Sequence, residues 1–223
     1  MHLMKQNWLE HLEPLMAQYH NRKHPLDYKS RYQLLVMVIL SAQDSDKHIN
    51  ELAPVVFAAY PSMNSLAQAT VEDLHQYIST VRNFGNKANW LVKLAQQIGD
   101  DDNIPTTMAE LTKLPGIGRK SANVIIRESG NTAEGVIVDL HVVRVAPRIG
   151  IASGTQPEKI EKQIMAIVPQ ERWNDIGMAI SFLGREICRP TNPKCDSCVM
   201  NAVCHFHNGI TDKKENSNEL KLF

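Results

Sequence analysis

Three groups of residues in this chain have types and spacing that could do chemistry. The first is four cysteines, Cys188, Cys195, Cys198 and Cys204, in a C-x6-C-x2-C-x5-C run. Thiols this close, behind an N-terminus whose polar and apolar residues alternate, suit a metal better than disulfides. Zinc and iron–sulfur both take thiolates, and the residue types alone do not choose between them. The second is Leu114-Pro115-Gly116-Ile117-Gly118-Arg119-Lys120-Ser121-Ala122, an apolar segment running through a Pro-Gly-x-Gly turn into helical spacing. Glycine lets the backbone turn sharply and lets something bulky come close. A helix start adds amide groups and the positive end of a dipole, enough to grip a phosphate without reading a base. From Lys113 to Arg127 there are four cations and no acid. Lys120 reads as a phosphate-contacting surface lysine. Its place near a helix start beside Arg119 also disfavours its charged form, as a nucleophilic amine needs. The third is Asp139, inside Val136-Ile137-Val138-Asp139-Leu140-His141. An aspartate caps a helix well and favours the dipole.

Composition sets the bounds. At 223 residues and 43% hydrophobic, the chain can bury a core as one domain or two small ones. With 24 basic and 24 acidic residues, bulk charge does not announce a nucleic-acid binder, so any such face must be local. No leader pattern is visible at the start. The longest apolar run, Leu34 to Leu40, is too short to span a bilayer. These features lead us to expect a soluble, intracellular (cytoplasmic) protein that does not engage a membrane. Nothing signals oligomerisation, and a monomer is expected.

The elements that must position these groups read as helices. Apolar spacing near 3.6 predicts an amphipathic helix over 3–20 and a buried one over 32–42. Ser45 or Asp46 should cap the next. Further helices are expected over 49–60, 65–81, 88–98, 107–113, 121–127, 157–168 and 175–187. Gly99 to Pro105 and Gly130 to Gly135 are loops. The β-branched run 136–145 alone would suggest a strand. Residues 208–223 form a polar tail expected to be disordered.

The hairpin words, the V-D-x-H run and the cysteine loop, in that order, resemble the endonuclease III family of helix-hairpin-helix DNA glycosylases and abasic-site lyases. The resemblance covers about residues 8 to 207. It implies an all-α fold of two helical lobes with DNA bound in a cleft between them. One lobe would be a six-helix barrel, 22–133, with the helix-hairpin-helix. The other would join 1–21 to 134–207 around a [4Fe–4S] cluster held by Cys188, Cys195, Cys198 and Cys204, with Arg185, Arg189 and Lys194 as a basic rim. His205 and His207 read as surface residues. The resemblance turns Asp139 into a helix start rather than part of a strand. It implies Lys120 as the Schiff-base nucleophile and Asp139 as the carboxylate facing the developing sugar cation.

Further residues follow from the same resemblance. Ser41-Ala42-Gln43-x-x-Asp46 matches a family motif whose glutamine fills the gap left by a flipped base. Gly116, Gly118, Arg119 and His141 would contact DNA. Asn83 stands where the family usually offers an apolar wedge, a departure that bears on how the opposite strand is read. A turn with a buried aromatic is the other reading of Asn83 to Asn86. Asp44-Ser45 and Leu140 also depart from the family pattern. The implied function is a base excision repair glycosylase with abasic-site lyase activity, acting on oxidised pyrimidines in double-stranded DNA. The alternatives are a same-fold enzyme of altered lesion choice and a non-catalytic, cluster-bearing DNA-binding protein.

Overall fold

The structure, a computed structural model, describes residues 7–210. Among them are eleven α-helices, three short 3-10 turns and no strand. None of the helices is long and apolar enough to cross a membrane. The chain divides into two compact units. One is Asn21–Glu134, and the other joins Met1–His20 to Gly135–Phe223.

The Asn21–Glu134 unit is built on α2 (Arg31–Leu40), in which eight of ten residues are buried. Ser30 starts it by accepting the Gln33 amide at 3.2 Å. Around it lie α3 (Asp46–Ala59), α6 (Phe84–Ile98) and α8 (Arg119–Glu128). Ser45 caps α3, accepting the His48 amide. The expected helix over 65–81 is two helices, α4 (Met63–Ala67) and α5 (Val71–Ile78). Thr70 causes the break. Its hydroxyl accepts the Asp73 amide, and the Asp73 carboxylate accepts the Thr70 amide in return, which is a new helix start. The first hairpin helix, α7 (Met108–Leu111), is a single turn.

The second unit holds α1 (Trp8–Gln18), α9 (Leu140–Ile149), α10 (Pro157–Met165) and α11 (Trp173–Glu186). The parts of the expected N-terminal helix before residue 7, and of the polar tail beyond residue 210, lie outside the described residues. Val136 to Val138 are buried and form no strand, and the Val136 amide donates to Glu161 Oε1 at 3.1 Å. This segment crosses α11 at Gly177, where an added Cβ would lie 2.6 Å from the Ile137 carbonyl oxygen. Glycine is therefore required by close approach. Backbone cannot move aside as a flexible side chain can. Gly177→Ala is expected to lower unfolding free energy by about 2 kcal/mol, read by urea denaturation. A change within error would show that the crossing has slack.

Candidate active site and cysteine centre

In the Asn21–Glu134 unit, the turn between α7 and α8 is pinned by buried Leu111, Leu114 and Ile117. Gly116 has φ +78°, and a Cβ there would sit 3.0 Å from the Trp90 ring. Both the backbone angle and the indole exclude a side chain. Gly118 is the N-cap of α8 and leaves its entrance uncovered. Arg119 and Lys120 are the first two helical residues, and both are exposed. Arg119 donates to the Glu134 carbonyl at 3.5 Å. The helix start and the cations thus share one exposed turn, while Ala122 to Ile126 anchor α8 in the core.

The same unit holds Gln43 and Asn83. Both are exposed, and both have φ +60°. Left-handed backbone is uncommon for side-chain-bearing residues and costs about 1–3 kcal/mol where strained. Asn83 directly precedes α6, and its amide oxygen accepts from Asn86 at 2.9 Å. Phe84 is half-buried, edge-on to His75 at 5.0 Å between ring centres. The expected turn with a buried aromatic over Asn83 to Asn86 is instead the first turn of α6, entered from Asn83, with Phe84 only half-buried. Asp44 accepts the Arg82 amide at 3.0 Å, the Ser45 amide at 2.8 Å and the His48 ring at 2.8 Å. Partial burial pushes its carboxyl up, but these three donors outweigh that and hold it below the usual carboxylate range.

In the other unit, Asp139 is the N-cap of α9. Its Oδ1 accepts the His141 and Val142 amides, both at 2.9 Å. Its Oδ2 accepts the buried Ser181 hydroxyl at 2.6 Å, and the Arg185 guanidinium lies 3.9 Å away. Ser181 and Arg185 both come from α11. The family resemblance implies Arg185 only as part of the cysteine rim and does not single out Ser181. One signal was available: Ser181 and Arg185 stand four apart on a helix, hence on one face. His141 is held by Arg144, Nη2 to Nδ1 at 3.2 Å, and Arg144 also donates to the Gly184 carbonyl. Leu140, between Asp139 and His141, is 82% exposed.

All four cysteines line one cavity, with Pro193, Lys194 and Leu183 among its other walls. None is in a disulfide. Arg148 organises the loop. It donates to the Arg189 and Pro190 carbonyls at 2.8 and 3.2 Å and points Nη1 at Cys188 Sγ, 3.6 Å away. His205 is not a plain surface residue. It is half-buried, and its ring lies where a Gly150 Cβ would be, at 2.5 Å. His207 lines the cysteine cavity.

A family model described as "HhH-GPD superfamily base excision DNA repair protein" matches residues 36–170. The chain is 36% identical to an endonuclease III of Synechocystis sp. over 80% of its length and 83% of that protein. The chain belongs to the endonuclease III family of the HhH-GPD superfamily. It is thus one of the DNA glycosylases of base excision repair. It is also similar to an endonuclease III of Escherichia coli, at 31% identity over 90% of this chain and 97% of that one. Among solved structures, a trapped endonuclease III–DNA covalent intermediate in an estranged-adenine complex superposes with a TM-score of 0.84. It is 30% identical and covers 93% of this chain and 99% of its own.

The Asp139 bracing has a measurable consequence. Asp139→Ala removes the cap and strands the buried Ser181 hydroxyl, and should cost about 2 kcal/mol in urea denaturation. Asp139→Asn keeps an acceptor oxygen for the α9 amides and should cost about half as much. Equal losses would mean that charge, not capping, carries the stability.

Proposed function

We propose that this protein is a bifunctional glycosylase and abasic-site lyase acting on oxidised pyrimidines in duplex DNA. The observation that carries the reading is the helix start at Gly118, which presents Lys120 on an exposed turn. Its family supports a DNA partner.

The base must first leave the stack to be reached. Lys120 Nζ, as the neutral amine, then attacks C1′ of the sugar. The C1′–N bond breaks and its electron pair leaves with the base, which takes up a proton. Asp139 stabilises the positive charge that develops on the sugar. The nitrogen then gives up one proton, O4′ takes one up as the ring C1′–O4′ bond opens, and the product is a protonated Schiff base. That iminium acidifies C2′. Loss of the C2′ proton expels the 3′ phosphate, and water releases Lys120.

We assign the cysteine cavity to a [4Fe–4S] cluster. The residues fit such a group: four free thiols wall one cavity, and the Arg148 N–H points at a sulfur. When bound, the group would supply folding free energy to the loop. The purified protein should show a broad visible absorbance with iron and acid-labile sulfide. Cys198→Ser should lose that absorbance and lower the thermal midpoint. Bound zinc without iron would contradict the assignment.

Altered lesion choice is the second reading, favoured by the polar Asn83 at the wedge position and by exposed Leu140 beside Asp139. A panel of duplexes, each with one damaged base, separates the two. Excision of thymine glycol and dihydrouracil is expected. If both survive while another lesion is cut, the substrate assignment falls and the chemistry stands. Asp139→Asn should slow base release by roughly a hundredfold while changing DNA affinity little. Parallel loss of both would reduce Asp139 to a cap.

A further inference from the structure

Within the Asn21–Glu134 unit, the two residues on left-handed backbone, Gln43 and Asn83, belong to different loops. Neither buries its side chain, so the strain does not serve the core. A dense set of bonds runs between those loops. The Asp44 carboxylate, next to Gln43, accepts the amide of Arg82, next to Asn83. The His48 ring bridges in parallel, with Nδ1 on Asp44 at 2.8 Å and Nε2 on Thr80 Oγ1 at 3.0 Å. From α6, fully buried Lys87 donates to the Leu40 and Ala42 carbonyls at 2.8 and 2.7 Å. It thereby closes the C-terminus of α2 one residue before Gln43 and holds that loop against the helix that begins at Phe84. Burying an ammonium is costly unless it is fully bonded. Here the ammonium is met by two backbone carbonyls, and the loops it holds expose Gln43 and Asn83.

We propose that Asp44, backed by Lys87, is a positioning residue that fixes the Gln43 and Asn83 loops as one two-pronged unit, so that both amides enter the duplex in register when a base is extruded. The inference rests on the repair reading above. Asp44 touches no substrate in it. It acts through the Arg82 and Ser45 amides, and the Asn86 bond sets the orientation of the Asn83 prong.

The test uses the full protein and a duplex in which 2-aminopurine faces a single abasic site. Unstacking by the two prongs changes the fluorescence of that base, a signal that depends on loop register rather than on folding alone. A second duplex carries one dihydrouracil and reads excision at saturating enzyme. Asp44→Ala is expected to abolish most of the fluorescence change and slow excision roughly tenfold, with the thermal midpoint near that of the parent. Unchanged fluorescence and excision would overturn the inference. If Asp44→Ala does not fold, Asp44→Asn decides on the same readouts, because it keeps the shape and one acceptor oxygen but loses the charge. A parent that neither excises nor perturbs 2-aminopurine strikes the repair reading itself. A fully active parent with an indifferent Asp44 variant strikes this inference alone.

Discussion

The carboxylate of Asp139 serves its own helix as well as any chemistry. Two amides of α9 occupy Oδ1, and the Ser181 hydroxyl and Arg185 guanidinium address Oδ2. This set fixes where the carboxylate sits and keeps donors on it. The unit around it is arranged to make that possible. Gly177 lets the 136–138 segment cross α11 at backbone contact, and Gly184 admits the His141 Cβ at the next turns. At its C-terminus, α9 turns at Gly150, where the His205 ring fills the place of a side chain and Arg148 gathers the cysteine loop. The capped aspartate and the cysteine cavity are therefore the two ends of one short helix.

The Asn21–Glu134 unit solves a different problem. It must expose a lysine at a helix start while keeping that helix anchored. The apolar stripe of α8 supplies the anchor, and two glycines supply the exposure. Gly116 does so through its backbone angle and the Trp90 contact, Gly118 by lacking a side chain at the cap. Oriented amides and clustered cations suit phosphate, and they need no excess of charge over the whole molecule. The zero net charge is thus compatible with a local DNA-facing turn.

Local chemistry was legible in the sequence. The cap at Ser45 and the buried run of α2 could be read from short windows, whereas the helix start at Asp139 and the all-helical fold came with the family resemblance. Propensity alone reads the β-branched run before Asp139 as a strand, because a buried segment outside any helix favours the same residues as a buried strand. What stayed hidden was pairing across long separations. Ser181 on Asp139, Lys87 on the end of α2 and Asp44 on the Arg82 amide each join residues about 40 apart in sequence. No periodicity records such partners. The break between α4 and α5 was missed for the opposite reason. Thr70 and Asp73 form a reciprocal cap that lies in plain view, but the apolar spacing continues through it.

The central claim is that Lys120 forms a covalent Schiff base with an opened sugar. Borohydride trapping on a duplex with one abasic site tests it most directly. A protein–DNA adduct that forms with the parent and disappears with Lys120→Ala is the expected result. An adduct that persists in Lys120→Ala would give the nucleophile to another amine. No adduct from a parent that still binds the duplex would contradict the lyase chemistry itself.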